Sequence, residues 1–242
     1  MNRFCLMVSL IVGLIITNPK SSVAGTNTEF PKFDIISCDT LPEDQILYNG
    51  RVWHNLYIAV EEDQFLFSHE FLIGSVTMRG RTYPNVRIKY DIYKDEVLIP
   101  FQPVGILQLN KEMVDSFSIL FLNREYRFVR ISDSTDAEMN GYFNEVYRGK
   151  TRLIARYVKK IERYADGGKY DKFYQINKIY IATDEKFRTI TGKKDLLRIF
   201  SNEKEAVRDY INKNNILIKR EDAESYVPVL RFIDSLQKEG MF

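Results

Sequence analysis

The chain has 242 residues, with 35 Lys and Arg against 33 Asp and Glu, and two histidines. Hydrophobic residues make up 45% and aromatic residues 13%, while 12 glycines and 7 prolines are modest numbers, which excludes a disordered polymer. Cys5 and Cys38 are the two cysteines, too few for a disulfide framework, so a hydrophobic core must hold the chain together.

Residues 1–24 read as an export signal. Arg3 supplies the positive start, Phe4 to Thr17 is an apolar or weakly polar run, Asn18-Pro19 ends it, and Ser22-Val23-Ala24 is a small-residue cleavage site. The run is shorter than the roughly 20 residues a bilayer needs, so no stable transmembrane anchor is expected. Cys5 lies inside the run and Cys38 far beyond it, which argues against a lipid-modified cysteine. Cleavage near Ala24 leaves a chain of about 218 residues, exported to the periplasm or beyond the cell. Arg3 and Lys20 depart with the signal and no acid does, so the formal charge falls from +2 to zero. A neutral chain is not a general partner for nucleic acid. Charge is nonetheless segregated: the stretch 25–74 is acidic and 148–200 is basic.

The expected elements follow in order. Phe33, Ile35 and Ile36 suggest an edge strand in a polar arm. Asn49-Gly50 is a strong turn signal, followed by strand-like runs Val52–Val60 and Phe65–Phe67 around a solvated turn at Glu61-Glu62-Asp63. Ser75–Met78 is a strand that turns at Arg79-Gly80. From Val86 the pattern alternates, with Val86, Ile88, Tyr90 and Ile92 on an inner face and Arg87, Lys89 and Asp91 on a wet one. Tyr93-Lys94-Asp95 leads to a third run, Val97–Ile99, stopped by Pro100. Ile106–Leu109 is a further strand, and Phe117–Leu122 with Tyr126–Ile131 a hairpin joined near Asn123-Arg124. Ser132–Asn140 reads as a polar loop, and Tyr142–Tyr147 with Arg152–Ile161 as a hairpin turning at Arg148-Gly149-Lys150. Asp166-Gly167-Gly168 is a loop before strands Phe173–Thr183 and Phe187–Ile190.

The period then changes to that of helices. Lys193–Phe200 is a short helix; Asn202 and Glu205 form a variant capping box for a second, which Asn214-Asn215 stops. A last helix from about Glu224 turns Val229, Leu230, Phe232, Ile233 and Leu236 inward, with Pro228 tolerated in its first turn. Strands first and helices last predict an α+β fold: an antiparallel meander, curved sheet or open barrel followed by C-terminal helices. The expected organisation is a signal at 1–24, a β-rich region at 25–190 and a helical segment at 191–242 packed on it.

Motifs for chemistry are sparse. His54 and His69 fall on different expected strands and lack an H-E-x-x-H partner, so they read as surface histidines and no metal site is assigned. Cys38 in a polar arm reads as incidental rather than as a nucleophile. Ser201-x-x-Lys204 has the spacing of penicillin-recognising enzymes, but a Ser at a helix start is ordinary capping. Gly149-Lys150-Thr151 looks like the tail of a phosphate loop, but Asn144 stands where the earlier glycine belongs, and the context is a hairpin. Basic and aromatic residues alternate from Arg152 to Tyr180; neither strand face is purely basic, so a solvated face meeting the acidic N-terminal part is expected. No catalytic residue and no cofactor is assigned. The carboxylates Asp91, Asp95 and Glu96 would carry an enzymatic reading if two of them converged in a cleft.

Leu47-Tyr48-Asn49-Gly50 with Trp53, Gly74-Ser75-Val76, Lys89-Tyr90-Asp91-Ile92-Tyr93, Leu109-Asn110 with Val114 and Phe117, Tyr147-Arg148-Gly149-Lys150 and Phe232-Ile233-Asp234-Ser235-Leu236 are turns and strand residues. In that order they resemble an uncharacterised family of secreted proteins of Bacteroidetes-type bacteria. The resemblance implies fold and compartment, and no activity comes with it.

The expected function is therefore that of an exported, non-enzymatic binding protein of the cell envelope, its partner a macromolecule there. The alternative is a carrier that encloses a lipid or another apolar small molecule between curved sheet and helices.

Overall fold

A computed structural model describes residues 43–103, 105–133, 136–163, 171–183 and 186–239. The expected export signal, the edge strand at 33–36, Cys38 and the loop at 166–168 lie outside the described residues. The strands are β1 (Gly50–Val52), β2 (Leu72–Met78), β3 (Arg81–Asp91), β4 (Glu96–Phe101), β5 (Gly105–Leu109), β6 (Val114–Phe121), β7 (Arg124–Ile131), β8 (Gly141–Arg148), β9 (Arg152–Glu162), β10 (Lys172–Thr183) and β11 (Lys186–Ile190). Three helices follow: α1 (Lys193–Ile199), α2 (Lys204–Lys213) and α3 (Val227–Glu239). The strands form one 11-stranded antiparallel sheet in the order β1-β5-β4-β3-β2-β6-β7-β8-β9-β10-β11, which is the α+β class expected.

Chain length dictates the curvature. Residues 110–113 join β5 to β6, yet β4, β3 and β2 lie between them in the sheet. Four strand spacings on a flat sheet measure about 19 Å, more than so short a linker can span between strand ends. The sheet therefore curls, bringing β3–β5 over the face of β6–β8. Tyr90 of β3 accordingly packs edge-on against Phe117 at 5.0 Å, Phe128 at 5.2 Å and Tyr142 at 6.1 Å. One backbone bond, from Lys159 N–H to the Ile92 carbonyl (3.1 Å), ties the end of β3 to β9, while the sheet stays open.

Two cores share the concave face. The first fills the curl with Met78, Ile88, Tyr90, Phe117, Phe128 and Tyr142. In the second, Leu153, Ala155, Ile179 and Ile181 of the sheet meet Leu196, Val207, Ile211, Leu230 and Ile233 of the helices. Tyr157 packs against both. Side chains thus occupy the space between β9–β11 and the helices, where an enclosed apolar cargo would sit.

The turns obey their residues. Arg79 and Gly80 take φ 49° and 78°, the paired positive values of a tight hairpin, and Leu122 and Asn123 do the same between β6 and β7. Asn215 ends α2 at φ 50°. Pro228 is the second residue of α3, where no helical N–H is missed.

Four expectations change. Val52–Val60 and Phe65–Phe67 do not join the ladder as strands; apart from β1 they form the loop 53–71. Asn49-Gly50 is no hairpin turn: a Cβ on Gly50 would lie 2.0 Å from the Gln108 carbonyl oxygen, so that glycine serves strand approach. Pro100 does not stop β4. It pairs with Ile106, whose carbonyl is turned to Trp53 N–H, so the proline nitrogen points to the side β3 has already left. Neither Ser201 nor Asn202 caps α2; Glu203 holds that position without a side-chain bond, and Glu205 pairs with Arg208 instead.

Candidate functional site

The loop 53–71 is shaped by its own short polar side chains. Asn55 Oδ1 accepts from Tyr57 N–H (2.9 Å), Asp63 Oδ1 from Phe65 N–H (2.9 Å) and Ser68 Oγ from Glu70 N–H (2.9 Å). The loop then docks on both sides. Gln64 C=O accepts from Ile92 N–H (3.0 Å) and Leu66 N–H donates to Tyr90 C=O (2.9 Å), laying it beside the end of β3. Glu61 exchanges backbone bonds with Asp171 and Phe173 at the start of β10.

That docking buries Asp91. On alternation alone its side chain faces water; in the structure the loop and β4 cover it, and it is 1% exposed. Its Oδ1 accepts from Tyr93 N–H and Lys94 N–H, both at 2.9 Å, which fixes the turn into β4. Its Oδ2 is buried and has no hydrogen-bond partner among the described residues. Glu96 stands directly opposite on β4. Burial drives the Asp91 carboxyl up from the usual 3.8 to about 6, against the pull of the two N–H donors, and the Glu96 charge adds to the rise. Burial raises Glu96 as well, with Arg51, Lys94 and Lys111 pulling it back.

Around this pair opens a cleft of about 470 Å³. Trp53 and Leu56 form one part of its wall and Tyr57 another. Their rings are held from behind: Trp53 lies 5.9 Å from Phe65, and Tyr57 meets Tyr93 at 5.0 Å and Phe173 at 5.7 Å. Leu56 is 80% exposed at the rim. The polar side is mixed. Arg51 Nε donates to Gln108 Oε1 (2.8 Å), its Nη2 lies 3.5 Å from Glu96 Oε1, and Lys94 sits over the rings of Tyr57 and Tyr93. Val52, Gln64 and His54 complete the lining. The cleft can thus hold a ligand between aromatic faces and both donors and acceptors, and Asp91 gains or loses a proton near pH 6.

Of the three carboxylates singled out in the sequence, Asp91 and Glu96 converge here and Asp95 does not, which meets the condition named above for an enzymatic reading. Asp95 accepts from Tyr90 Oη (2.6 Å) and pairs with Lys111. His54 is in the cleft, while His69 is on the outside of the loop, 3.0 Å from Glu70. Both histidines belong to the loop rather than to strands. Among the described residues no three His, Cys, Asp or Glu side chains gather as a metal site. Gly149-Lys150-Thr151 is a hairpin turn as expected. The basic stretch meets the acidic N-terminal part through Lys159 with Asp63 (3.0 Å) and Lys172 with Glu62 (3.6 Å). Among the described residues no helix is long and apolar enough to cross a membrane.

Trp53, Tyr57, Gln64, Arg51 and Gln108 were not expected to share a site. The one available signal was Trp53, the only tryptophan, in an apolar run beside an Asn-Gly pair. Two other grooves are present. One of about 490 Å³ runs between Tyr48 and Val86 with Arg87 as its charged member, and one beside α1 and α2 is lined by Lys193, Lys194, Arg198, Lys204 and Arg208, of which Arg198 and Arg208 are paired with Asp195 and Glu205. Comparison of the chain with protein-family models, with curated proteins and with solved structures returned no match.

Proposed function

We propose that the chain is an exported binding protein of the cell envelope that takes its ligand in the Trp53–Asp91 cleft. One observation carries the reading: the unpartnered Oδ2 of Asp91, buried in the wall of a cleft that aromatic rings flank. A purely structural aspartate at this turn needs one oxygen, and Oδ1 already meets both N–H groups. The second oxygen costs about 1–3 kcal/mol of lost solvation unless something donates to it. A ligand donor would recover that cost once a small side-chain movement bares the buried oxygen to the cleft. The leader-like pattern at 1–24 supports export.

Trp53 is the sole tryptophan, so its emission reports on this cleft alone. Titrating the mature chain with size fractions of an envelope extract should shift that emission, and Tyr57→Ala and Asp91→Asn should weaken the shift. A partner captured with equal strength by both folded variants, or a mature chain that stays in the cytoplasm, would overturn the reading.

A further inference from the structure

We infer that the ligand of this cleft is a neutral saccharide, held by one sugar ring against Trp53 and Tyr57 with its hydroxyls directed to Asp91 and Glu96. The inference rests on the cleft being the binding site, and four features of its wall choose the ligand class.

Charge comes first. Arg51 and Lys94 share the lining with Asp91 and Glu96, two cations with two carboxyls, and Arg51 Nη2 lies 3.5 Å from Glu96 Oε1. An anionic ligand would meet Asp91 in a setting that already disfavours its charge, and a cationic one would meet Arg51 and Lys94. A neutral ligand suffers neither penalty. Lys94 also lies 5.7 Å from the Tyr57 ring centre and 5.0 Å from that of Tyr93, so one face of each ring already carries an ammonium of the chain.

The donors and acceptors are interleaved. Arg51 and Lys94 donate only, the carboxylates accept when ionised, and Gln64 and Gln108 can do both. A hydroxyl group both donates and accepts, so a row of hydroxyls satisfies such a mixed wall, whereas a lipid chain would leave it unsatisfied. The unpartnered Asp91 Oδ2 asks for a donor, which an alcohol supplies without bringing charge.

Rigid aromatic faces are the third feature. Trp53 and Tyr57 are braced by Phe65, Tyr93 and Phe173, so their faces are set before any ligand arrives, and little ordering entropy is lost on binding. Such faces suit the apolar C–H side of a sugar ring. The fourth is size: about 470 Å³ falls in the range of roughly 300–1,000 Å³ for clefts that bind small molecules.

The test is a titration of the mature chain with six neutral trisaccharides (malto-, cello-, xylo-, manno- and laminaritriose and the fully N-acetylated chitotriose) at up to millimolar concentration, with trigalacturonate and choline as charged controls. Trp53 emission and calorimetry are the readouts. The expected result is saturable binding of at least one neutral trisaccharide, weakened at least about tenfold in Asp91→Asn and in Tyr57→Ala, both checked for native near-UV circular dichroism. Asp91→Asn preserves the acceptor toward Tyr93 and Lys94, so it keeps the inference testable if the larger truncation unfolds. Saturation by trigalacturonate or choline with no response to any neutral trisaccharide overturns the ligand class and leaves the cleft as the site. A trisaccharide bound equally by wild type and both variants overturns the cleft reading itself. Silence with every probe overturns the saccharide inference.

Discussion

Asp234 in α3 accepts hydrogen bonds from both the amide (3.2 Å) and the hydroxyl (2.9 Å) of Thr151, 83 residues before it. The same carboxylate takes Lys150 N–H at 2.8 Å and Tyr147 Oη at 2.9 Å. Thr151 is 2% exposed and Asp234 6%. The turn between β8 and β9 therefore acts as a receptor for the last helix. Backbone N–H groups that a phosphate loop would aim at a nucleotide are aimed here at a carboxylate of the same chain. Gly149 permits the approach, since a Cβ there would lie 2.0 Å from Asp234 Oδ2.

Replacing Asp234 by Ala strands the Thr151 amide and hydroxyl in a buried site. The expected loss is about 2–4 kcal/mol, the range for a buried, charge-assisted hydrogen-bond set. Urea unfolding of Asp234→Ala beside the wild type measures it. A loss below about 0.5 kcal/mol would mean that apolar packing alone docks α3.

Tyr90 joins the curl of the sheet through its ring and through its hydroxyl. The ring packs on Phe117, Phe128 and Tyr142, and the hydroxyl donates to Asp95 at 2.6 Å. Tyr90→Ala should cost about 3–5 kcal/mol, the usual loss for a large aromatic in a packed core. Tyr90→Phe keeps the ring and should cost only about 1–2 kcal/mol, because Asp95 still has Lys111. Equal losses in the two variants would place the energy in the hydrogen bond rather than in the curl.

Much of this was legible where local chemistry decides the outcome. The inward set Ile88, Tyr90 and Ile92 follows from alternation, the Arg79-Gly80 turn from its residues, and the buried stripe Val229, Leu230 and Ile233 of α3 from helical spacing. The loop 53–71 misled because its apolar residues have strand-like composition, yet they are satisfied by docking on β3 and β10 rather than by a ladder. Asp91 misled for the same reason: alternation tells which side of a strand a residue takes, and cannot tell that a distant loop will cover that side. The cleft draws on positions 51–57, 64, 91–96 and 108, which the strand order β1-β5-β4-β3 brings together. That order is a long-range property, so the sequence offered the carboxylates but not their company.

Tyr157 touches both cores and accepts a hydrogen bond from Asn144 Nδ2 at 3.1 Å. Tyr157→Ala should therefore loosen amides on both sides of it, in β3–β4 and in α2–α3, when hydrogen exchange is followed. Asp234→Ala should loosen the helices and leave β3–β4 protected. Identical exchange patterns in the two variants would contradict a junction at Tyr157.

Asp91 gives the protein a stability that depends on pH in an unusual direction. Its folded-state carboxyl is raised from 3.8 to about 6 by burial, with Glu96 adding to the rise, so the folded chain holds the proton more tightly than the unfolded chain. Protonation at Asp91 therefore favours folding. Its contribution is fully present below the unfolded value and is lost as pH climbs through about 6. A shift of that size corresponds to roughly 3 kcal/mol. Asp91→Asn keeps an acceptor for Tyr93 N–H and Lys94 N–H but carries no proton to lose, so its stability should fall less than that of the wild type between about pH 4 and pH 7, by on the order of 2–3 kcal/mol. Glu96→Gln removes the facing like charge and should move the wild-type fall to lower pH. Urea midpoints across that range for the three proteins decide the matter: parallel curves for wild type and Asp91→Asn would show that the carboxyl titrates as an ordinary surface acid.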